Sequence, residues 1–277
     1  MPEGPEVRSI ANCLRKEVKD FLITKISFTT KKKKHKLEGL ERFTRIVDIR
    51  SHGKKLIFEL RTPDDRKAYL FNGVLMDGKW SFKPNKHTQV SLKCTKLVNN
   101  KVIYKELHYG GYYRYGEILF LKEKEFEKVM KKLGLDLLSL ELDEEIYDYY
   151  VKVARRYFNN KQVCTFLLDQ RFIAGIGNYL KAEILYECKI HPAELVCKLT
   201  DEELVSLLTT SHRIINESYR KNGLTISLYK TPHGKLGTYE CKVYGKKHDE
   251  FGNEVKRDEF ADRRKTHWVA EVQVLKQ

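Results

Sequence analysis

A chain of 277 residues is long enough to bury a sizeable core, and we expect two domains rather than one. Its 53 lysines and arginines outnumber the 38 aspartates and glutamates, and the net charge of +15 favours a polyanionic partner over an anionic membrane surface. The sequence contains no run of eighteen apolar residues and no signal-peptide pattern, so we expect an intracellular protein that neither spans a membrane nor is secreted. The six cysteines form no C-x-x-C pair, which indicates reduced thiols and excludes a cysteine-rich zinc site.

The first six residues, MPEGPE, contain a candidate nucleophile at Pro2. Removal of the initiator methionine would leave Pro2 with a free secondary amine, and about a tenth of an ordinary α-amino group is unprotonated near neutral pH. Such an amine can form an iminium at an electrophilic carbon. Glu3 is a candidate general acid, and Glu6 is a second carboxylate nearby. The same residues also fit the start of a helix, with Pro5 at its first position, and the hexapeptide alone does not separate the two interpretations.

The following hundred or so residues are predicted to be mostly β-structure. A basic run at 31–36 is typical of a solvated loop, with a nuclear signal or a phosphate contact as alternatives. From Phe43 to Phe120 the apolar residues alternate with a period of two between turn signals, which predicts a β-sandwich or barrel flanked by helices. Lys54 lies in the loop 51–55 between two strands, where it either contacts a phosphate or stays solvated.

Two turns in this half could offer side chains to a base stack. Met76 lies at the turn 71–78, where an apolar side chain belongs either to the core or to a wedge between bases. Residues 108–116 contain three glycines and four tyrosines around Arg114. This mixture of aromatic and basic residues suits stacking on exposed bases.

Helical periodicity dominates the second half, and it predicts helices over 143–158, 161–169, 178–188 and 200–221. The last helix begins with the capping box Thr200 to Glu203 and ends before Gly223. The run Gly175 to Asn178 leads directly into a helix, and a helix N-terminus behind a glycine-rich turn is an anion site. Asn178 is the expected N-cap, with its side chain free to bond a phosphate. A dinucleotide site is excluded, because no strand precedes this turn and no third glycine follows it.

The C-terminal residues return to short strands, predicted at 242–244, 254–256 and 266–269. Arg263, Arg264 and Lys265 fall at the turn between the last two strands. A charged hairpin tip of this kind is a common DNA contact.

Several of these motifs together resemble one family over nearly the whole chain. They are the opening residues 2–6, Lys54, the segment DQRFIAGIGNYLKAEIL at 169–185 and the terminal hairpin. In this order they are similar to the formamidopyrimidine-DNA glycosylase and endonuclease VIII family. The resemblance implies an α+β fold with an N-terminal β-sandwich, a helix–two-turn–helix domain and a C-terminal β-hairpin finger.

The resemblance sets the expected domain boundaries. They are a catalytic β-sandwich domain at 1–134, a linker at 135–142, a helix–two-turn–helix domain at 143–223, a lesion-recognition loop at 224–238 and a finger at 239–277.

The finger departs from the pattern of most members, which hold it with zinc through two C-x-x-C pairs. Phe251, Glu254, Val269 and Val272 occupy the four matching positions. None of them binds zinc as a thiolate does, so no metal is expected. The chain therefore resembles the zincless-finger, endonuclease VIII-like branch known in vertebrates and giant DNA viruses, in which packing of these apolar residues and Trp268 would replace the metal.

The resemblance also implies a role for each candidate site residue. Pro2 would attack the deoxyribose C1′, with Glu3 donating a proton during ring opening and Glu6 supporting the N-terminal geometry. The residues expected to bind phosphates are Lys54, Asn178 and Arg264. Those expected to fill the gap left by a flipped base are Met76, Arg114 and Tyr115, although Leu75 and Tyr113 depart from the usual residues beside them. Lys242 matches a lesion-contacting position.

The implied function is a bifunctional DNA glycosylase and abasic-site lyase that removes oxidised bases, with oxidised pyrimidines favoured, through β- and δ-elimination. No cofactor is implied. The expected partner is double-stranded DNA with oxidised bases, single-stranded DNA is left open, and the chain is expected to act as a monomer without a membrane. A nucleus or viral replication compartment would be its location in a eukaryotic or viral setting. A catalytically idle protein that binds damaged or abasic DNA on the same scaffold is the alternative.

Overall fold

The computed structural model describes residues 2–29, 37–73, 78–111, 117–225 and 230–276. The chain divides into two compact units. The first comprises Met1–Lys132 with Thr225–Thr238, and the second comprises Leu133–Leu224 with Tyr239–Gln277. None of the helices in these ranges has the length and apolar character needed to cross a membrane.

The first unit begins with helix α1, Gly4–Val18, which packs mainly against strand β2. Its apolar residues recur three or four positions apart, so they form one buried stripe: Val7, Ile10, Ala11, Leu14 and Val18. Glu3 is the N-cap and Pro5 lies in the first turn, so the predicted helix start is present.

Eight strands follow in one continuous hydrogen-bonded order, β5-β7-β6-β1-β2-β3-β4-β8. Their bounds are β1 Leu22–Phe28, β2 Thr44–His52, β3 Lys55–Arg61, β4 Lys67–Gly73, β5 Lys79–Ser81, β6 Thr88–Val98, β7 Lys101–Gly110 and β8 Glu117–Lys122. All the pairings are antiparallel. Among the described residues β5 and β8 end this order, so the sheet is not a closed barrel.

The sheet folds over its own core, as a sandwich does. Phe58 of β3 and Trp80 of β5 are far apart in the strand order, yet their ring centroids are 5.1 Å apart. The indole nitrogen of Trp80 also donates a hydrogen bond to the side chain of Asn72 in β4, at 3.0 Å. Buried side chains from all eight strands and α1 join in one apolar cluster. Helix α2, Glu123–Met130, closes this part of the chain, and its Phe126 stacks on Tyr69.

The second unit is mainly helical. Its helices are α3 Glu144–Val153, α4 Val163–Leu168, α5 Asn178–Glu187 and α6 Asp201–Arg220, with a π-helical segment Ala154–Phe158 after α3 and a 3-10 segment Val196–Lys198. The predicted capping box of α6 is confirmed, because the Thr200 hydroxyl accepts from the Glu203 backbone and the Glu203 carboxylate accepts from Thr200. Helix α5 is buried from Tyr179 to Tyr186, which makes it the centre of this unit.

The C-terminal hairpin consists of β11, Val255–Glu259, and β12, Lys265–Val269, paired antiparallel. The predicted strand at 242–244 is wrong, because these three residues lie in an irregular segment whose backbone N–H groups bond to Glu183. The expectation that no strand precedes the glycine-rich turn is also wrong. A two-residue strand β10, Ile173–Ala174, pairs in parallel with β9, Leu135–Asp136. The third glycine of a dinucleotide site is still absent from the sequence.

Candidate active site

The three N-terminal candidates lie together at the start of α1. Pro2 is buried, and the side chains of Glu3 and Glu6 are buried with 3% and 1% of their surface exposed. A Glu6 carboxylate oxygen accepts a hydrogen bond from the Glu3 backbone at 2.8 Å, as part of a reciprocal capping box. Helix capping therefore fixes Glu6 and places two carboxyl groups beside Pro2.

Side-chain contacts set the position of α1 along β2. The Arg8 guanidinium donates to the Ser51 hydroxyl at 2.7 Å, and Arg15 pairs with Asp48 at 2.6 Å. The N-terminal end of α1 therefore points toward the C-terminal end of β2. Lys54 follows three residues after Ser51, so the sequence-predicted residues Pro2, Glu3, Glu6 and Lys54 belong to the same end of the first unit.

A two-residue hairpin turn carries Lys54 between β2 and β3, whose last pair is His52 with Lys55. Gly53 has a positive φ of 51° there, which a glycine adopts without steric cost. The Lys54 side chain is half-buried and has contacts within the fold. The hairpin therefore holds a cation at a defined place rather than on a long loop.

Met76, Arg114 and Tyr115 lie outside the described residues. The residues flanking them are closely packed. A Cβ atom added to Gly78 would approach the Tyr109 hydroxyl to 2.7 Å, and one added to Gly110 would approach the His87 carbonyl oxygen to 2.1 Å. Glycine is therefore required at Gly110, because a backbone carbonyl cannot yield as a flexible side chain does.

In the second unit Asn178 is the first residue of α5, and Gly177 is the N-cap. The prediction that Asn178 is the N-cap with a free side chain is wrong. Its amide nitrogen donates to the backbone carbonyl of Lys265 at 2.9 Å. Its amide oxygen is buried and has no hydrogen-bond partner among the described residues. The glycine-rich turn itself is formed, with Gly175 at a φ of 112°.

Arg264 lies on the turn between β11 and β12, and its side chain is exposed. The turn is held by a bond from the Arg263 backbone to the Phe260 carbonyl at 2.9 Å, and Arg263 has a positive φ of 55°. Because Asn178 binds the carbonyl of the next residue, Lys265, the structure brings two of the predicted phosphate-binding residues to one turn.

Lys242, the predicted lesion contact, has its ammonium group engaged. It pairs with Glu187 at 2.8 Å and with Glu250 at 3.0 Å. The hydrogen bonds that Lys242 donates to Glu187 and Glu250 raise its pKa well above the ordinary value. A contact with DNA would therefore require this lysine to leave two carboxylates.

The residues at the four positions that match zinc ligands differ in burial. Val269 is fully buried and packs with Val272, Tyr186 and Val243, as the packing hypothesis requires. For Phe251 that hypothesis is wrong, because 77% of this residue is exposed. Hydrogen bonds order the loop around Phe251, and none of them involves the Phe251 ring.

Asp249 provides those hydrogen bonds, and the sequence analysis missed it. Its carboxylate accepts from the backbone N–H groups of Phe251 and Asn253, each at 2.9 Å. It also accepts from the Asn253 side chain at 2.9 Å and from the Tyr186 hydroxyl at 3.0 Å. An aspartate three residues before the glycine-asparagine pair 252–253 was the available signal, since such side chains bond to the backbone two residues on.

Glu183 is a second residue that the sequence analysis did not single out for a role. It is buried in α5, and its carboxylate accepts backbone N–H groups from Lys242, Val243 and Tyr244 at 2.6, 3.0 and 2.8 Å. Burial raises the pKa of Glu183, and these hydrogen bonds oppose the rise. A glutamate among the apolar residues Ala182, Ile184 and Leu185 was the signal in the sequence, because a buried carboxylate requires hydrogen-bond donors.

Comparison with known proteins places the chain in a family. Residues 1–111 match the model of the formamidopyrimidine-DNA glycosylase N-terminal domain, and residues 133–230 match that of the formamidopyrimidine-DNA glycosylase H2TH domain. Among curated relatives, the formamidopyrimidine-DNA glycosylase of Prochlorococcus marinus is 28% identical, over 99% of this chain and 100% of the relative. That of Haemophilus influenzae is 29% identical, over 89% of each chain.

Solved structures agree in fold. The MutM (Fpg) protein from Thermus thermophilus superposes with a TM-score of 0.83 at 22% identity, over 100% of both chains. The Lactococcus lactis Fpg in complex with DNA containing an abasic site gives a TM-score of 0.81 at 23% identity, over 98% of this chain and 99% of that one. The chain belongs to the formamidopyrimidine-DNA glycosylase family, a family of DNA glycosylases.

Proposed function

We propose that this DNA glycosylase of base excision repair is bifunctional and uses the Pro2 amine as its nucleophile. Family membership over both domains supports the glycosylase activity. The observation that carries the nucleophile is the start of α1, where two buried carboxyl groups accompany Pro2. After removal of the initiator methionine, the secondary amine attacks C1′ of the deoxyribose, and the bond to the base breaks as the base leaves.

Glu3 is the proton donor in this proposal. Its proton goes to the ring oxygen of the sugar, so the ring opens and an iminium forms between Pro2 and C1′. The iminium withdraws electrons from C2′ and makes its protons acidic. Loss of a C2′ proton expels the 3′ phosphate by β-elimination, and a second elimination expels the 5′ phosphate. Water then releases the sugar fragment from Pro2.

DNA binding relies on cations and N–H groups rather than on base edges. Lys54 of the first unit and Asn178 and Arg264 of the second would contact phosphates, which fix the register but carry little sequence information. Met76, Arg114 and Tyr115 would fill the space of the flipped base. Flipping costs least for a damaged base, so lesion selection begins before the chemical step.

The substrate class is proposed to be oxidised bases in duplex DNA, with pyrimidines favoured. The resemblance of this finger to the zincless, endonuclease VIII-like branch supports this preference, because cysteines are absent from its four zinc-ligand positions. A panel of duplexes, each with one oxidised pyrimidine or one oxidised purine, measures it directly.

Borohydride trapping tests the proposed chemistry, because borohydride reduces the iminium to a stable covalent adduct. The protein with Pro2 at its N-terminus should form an adduct with duplexes that contain an oxidised base. A form with extra residues before Pro2 is the control, because its nitrogen is an amide: it should bind DNA without forming an adduct. Pro2→Gly keeps a terminal amine and should lose the adduct only in part.

The same experiment separates the alternative, a protein that binds damage without catalysis. Such a protein would bind an abasic duplex but give no adduct with any lesion and no cleavage. That result, obtained with the processed N-terminus verified by mass, would remove the enzyme proposal.

A further inference from the structure

Helix α5 contains a fully buried lysine whose charge is neutralised by the finger. The Lys181 ammonium forms an ion pair with a carboxylate oxygen of Asp262, and the two side chains are 0% and 3% exposed. Asp262 immediately precedes the two arginines of the hairpin turn. A lysine in the centre of a buried helix is costly unless its charge is paired, so Lys181 needs the carboxylate of Asp262.

The second carboxylate oxygen of Asp262 has a different hydrogen-bond partner. It accepts a hydrogen bond from the backbone N–H of Arg264 at 3.1 Å. Asp262 therefore joins the side chain of Lys181 directly to the backbone of the exposed arginine. Because Lys181 lies on a buried helix, the arginine backbone is tied to a rigid element.

Two further contacts hold the turn on either side of this link. The backbone N–H of Ala261 donates to the Gln162 side chain at 3.0 Å, and Asn178 donates to the Lys265 carbonyl at 2.9 Å. The turn from 261 to 265 is thus held at both ends by neutral hydrogen bonds. The buried ion pair holds its middle, directly before Arg264.

A buried ion pair is weak evidence for stability, because apolar side chains of similar volume often serve the fold equally well. The Lys181–Asp262 pair instead fixes the geometry of the turn before Arg264. Burial lowers the pKa of Lys181 and the Asp262 hydrogen bond opposes this, so the two groups depend on each other. An apolar pair could fill the same space, but it would offer no acceptor to the Arg264 N–H.

We propose that Lys181 and Asp262 are positioning residues that fix the backbone of Arg264 so that its guanidinium meets a DNA phosphate in one defined place. This inference rests on the proposed function, which assigns Arg264 to a phosphate. Neither residue touches DNA in this proposal. Both act through the arginine.

A double substitution, Lys181→Met with Asp262→Leu, tests the pair. It removes one charge of each sign and leaves apolar side chains that suit a buried site, so the melting temperature should stay near that of the parent. Binding to a duplex with a tetrahydrofuran abasic analogue should weaken by about tenfold, the size expected for loss of one charge-assisted hydrogen bond. The control is Lys67→Met with Glu123→Leu, an exposed ion pair between β4 and α2 that leaves the net charge unchanged in the same way.

The double substitution is then tested again in a protein that also carries Arg264→Ala. If the pair acts through Arg264, the double substitution should weaken binding no further once the arginine is gone. Hydrogen exchange of the peptide 260–266 should also become faster in the double variant, while exchange in α5 stays slow. This second measurement applies even when the variant is less stable than the parent.

Each contrary outcome is distinct. Parental affinity in the double variant, or losses that multiply with that of Arg264→Ala, would overturn the positioning role, as would an Arg264→Ala variant that binds as the parent does. A parent protein that fails to bind the abasic duplex would contradict the proposed function itself, and the inference with it.

Discussion

The side-chain amide of Asn178 donates a hydrogen bond to the backbone carbonyl of Lys265 across 2.9 Å, although the two residues are 87 positions apart in the chain. The bond joins the first residue of α5 to the strand that follows the Arg264 turn. An amide nitrogen carries two hydrogens, so one remains for an acceptor such as a phosphate oxygen. A single side chain can therefore hold the finger and contact DNA.

We expect Asn178→Ala to affect both roles. Loss of the bond to Lys265 should lower the free energy of unfolding by about 1 kcal/mol, and loss of the phosphate contact should weaken binding to an abasic duplex. Asn216→Ala is the matched control, because that amide donates to the His212 carbonyl at 2.8 Å within α6. It should leave DNA binding intact and cost less stability, because alanine favours a helix interior. Equal DNA affinities for the two variants would show that Asn178 contacts no phosphate.

We expect Glu3→Gln to separate base removal from strand cleavage. Glutamine keeps the size and an acceptor oxygen for the helix cap, but it cannot donate a carboxylic acid proton. Release of an oxidised base should therefore fall by about 10²–10⁴-fold. Cleavage at a pre-formed abasic site, whose sugar is already open for part of the time, should fall much less. Gel assays on the two substrates measure both rates, and an equal loss on both would argue against this role for Glu3.

We expect Asp249→Ala to destabilise the finger. Four donors lose their common acceptor, and two of these donors are backbone N–H groups. The melting temperature should fall by several degrees. Asp143→Ala is a milder control, because that carboxylate caps α3 by accepting one backbone N–H, from Ile146 at 2.9 Å. Thermal unfolding compares the two, and a larger effect at Asp143 would contradict the importance of the Asp249 bonds.

Stability should decline as the pH falls from neutral toward acid. Burial lowers the pKa of His191 and of His267 below the ordinary value of 6.5, and Arg257 and Lys181 lower that of His267 further. Below this pH the unfolded chain binds more protons than the folded chain, so the stabilisation present above 6.5 is lost as the pH drops. Melting temperatures measured across this range should show a weaker pH dependence in His191→Gln with His267→Gln. An unchanged dependence would exclude these two histidines as its source.

Local patterns in the sequence were sufficient to predict the elements whose structure depends on neighbouring residues. The alternation in β2 and β3, the stripe of α1 and the capping box at Thr200 are all of this kind, and the structure contains each of them. The family resemblance rested on similar grounds, since the motifs at 2–6 and 169–185 are continuous in sequence.

The contacts that the sequence did not reveal join residues far apart in the chain. Asn178 was expected to be an N-cap with a free side chain, but its amide nitrogen donates to the carbonyl of Lys265, and only the folded finger brings that carbonyl near. Residues 242–244 have the composition of a strand, yet the carboxylate of Glu183 takes their N–H groups. Phe251 was expected to be buried because it is apolar, whereas Asp249 orders its loop without it.

The side chains that hold the finger also determine how sensitive it is to oxidation. Conditions that oxidise DNA bases also oxidise thiolates, and a zinc site made of cysteines loses its metal when its sulfurs are oxidised. In this finger Asp249, Glu183 and Val269 hold the corresponding backbone, and carboxylates and aliphatic groups are not on that oxidation pathway. The bonds that hold the finger are therefore not lost to thiol oxidation, as those of a cysteine zinc site would be.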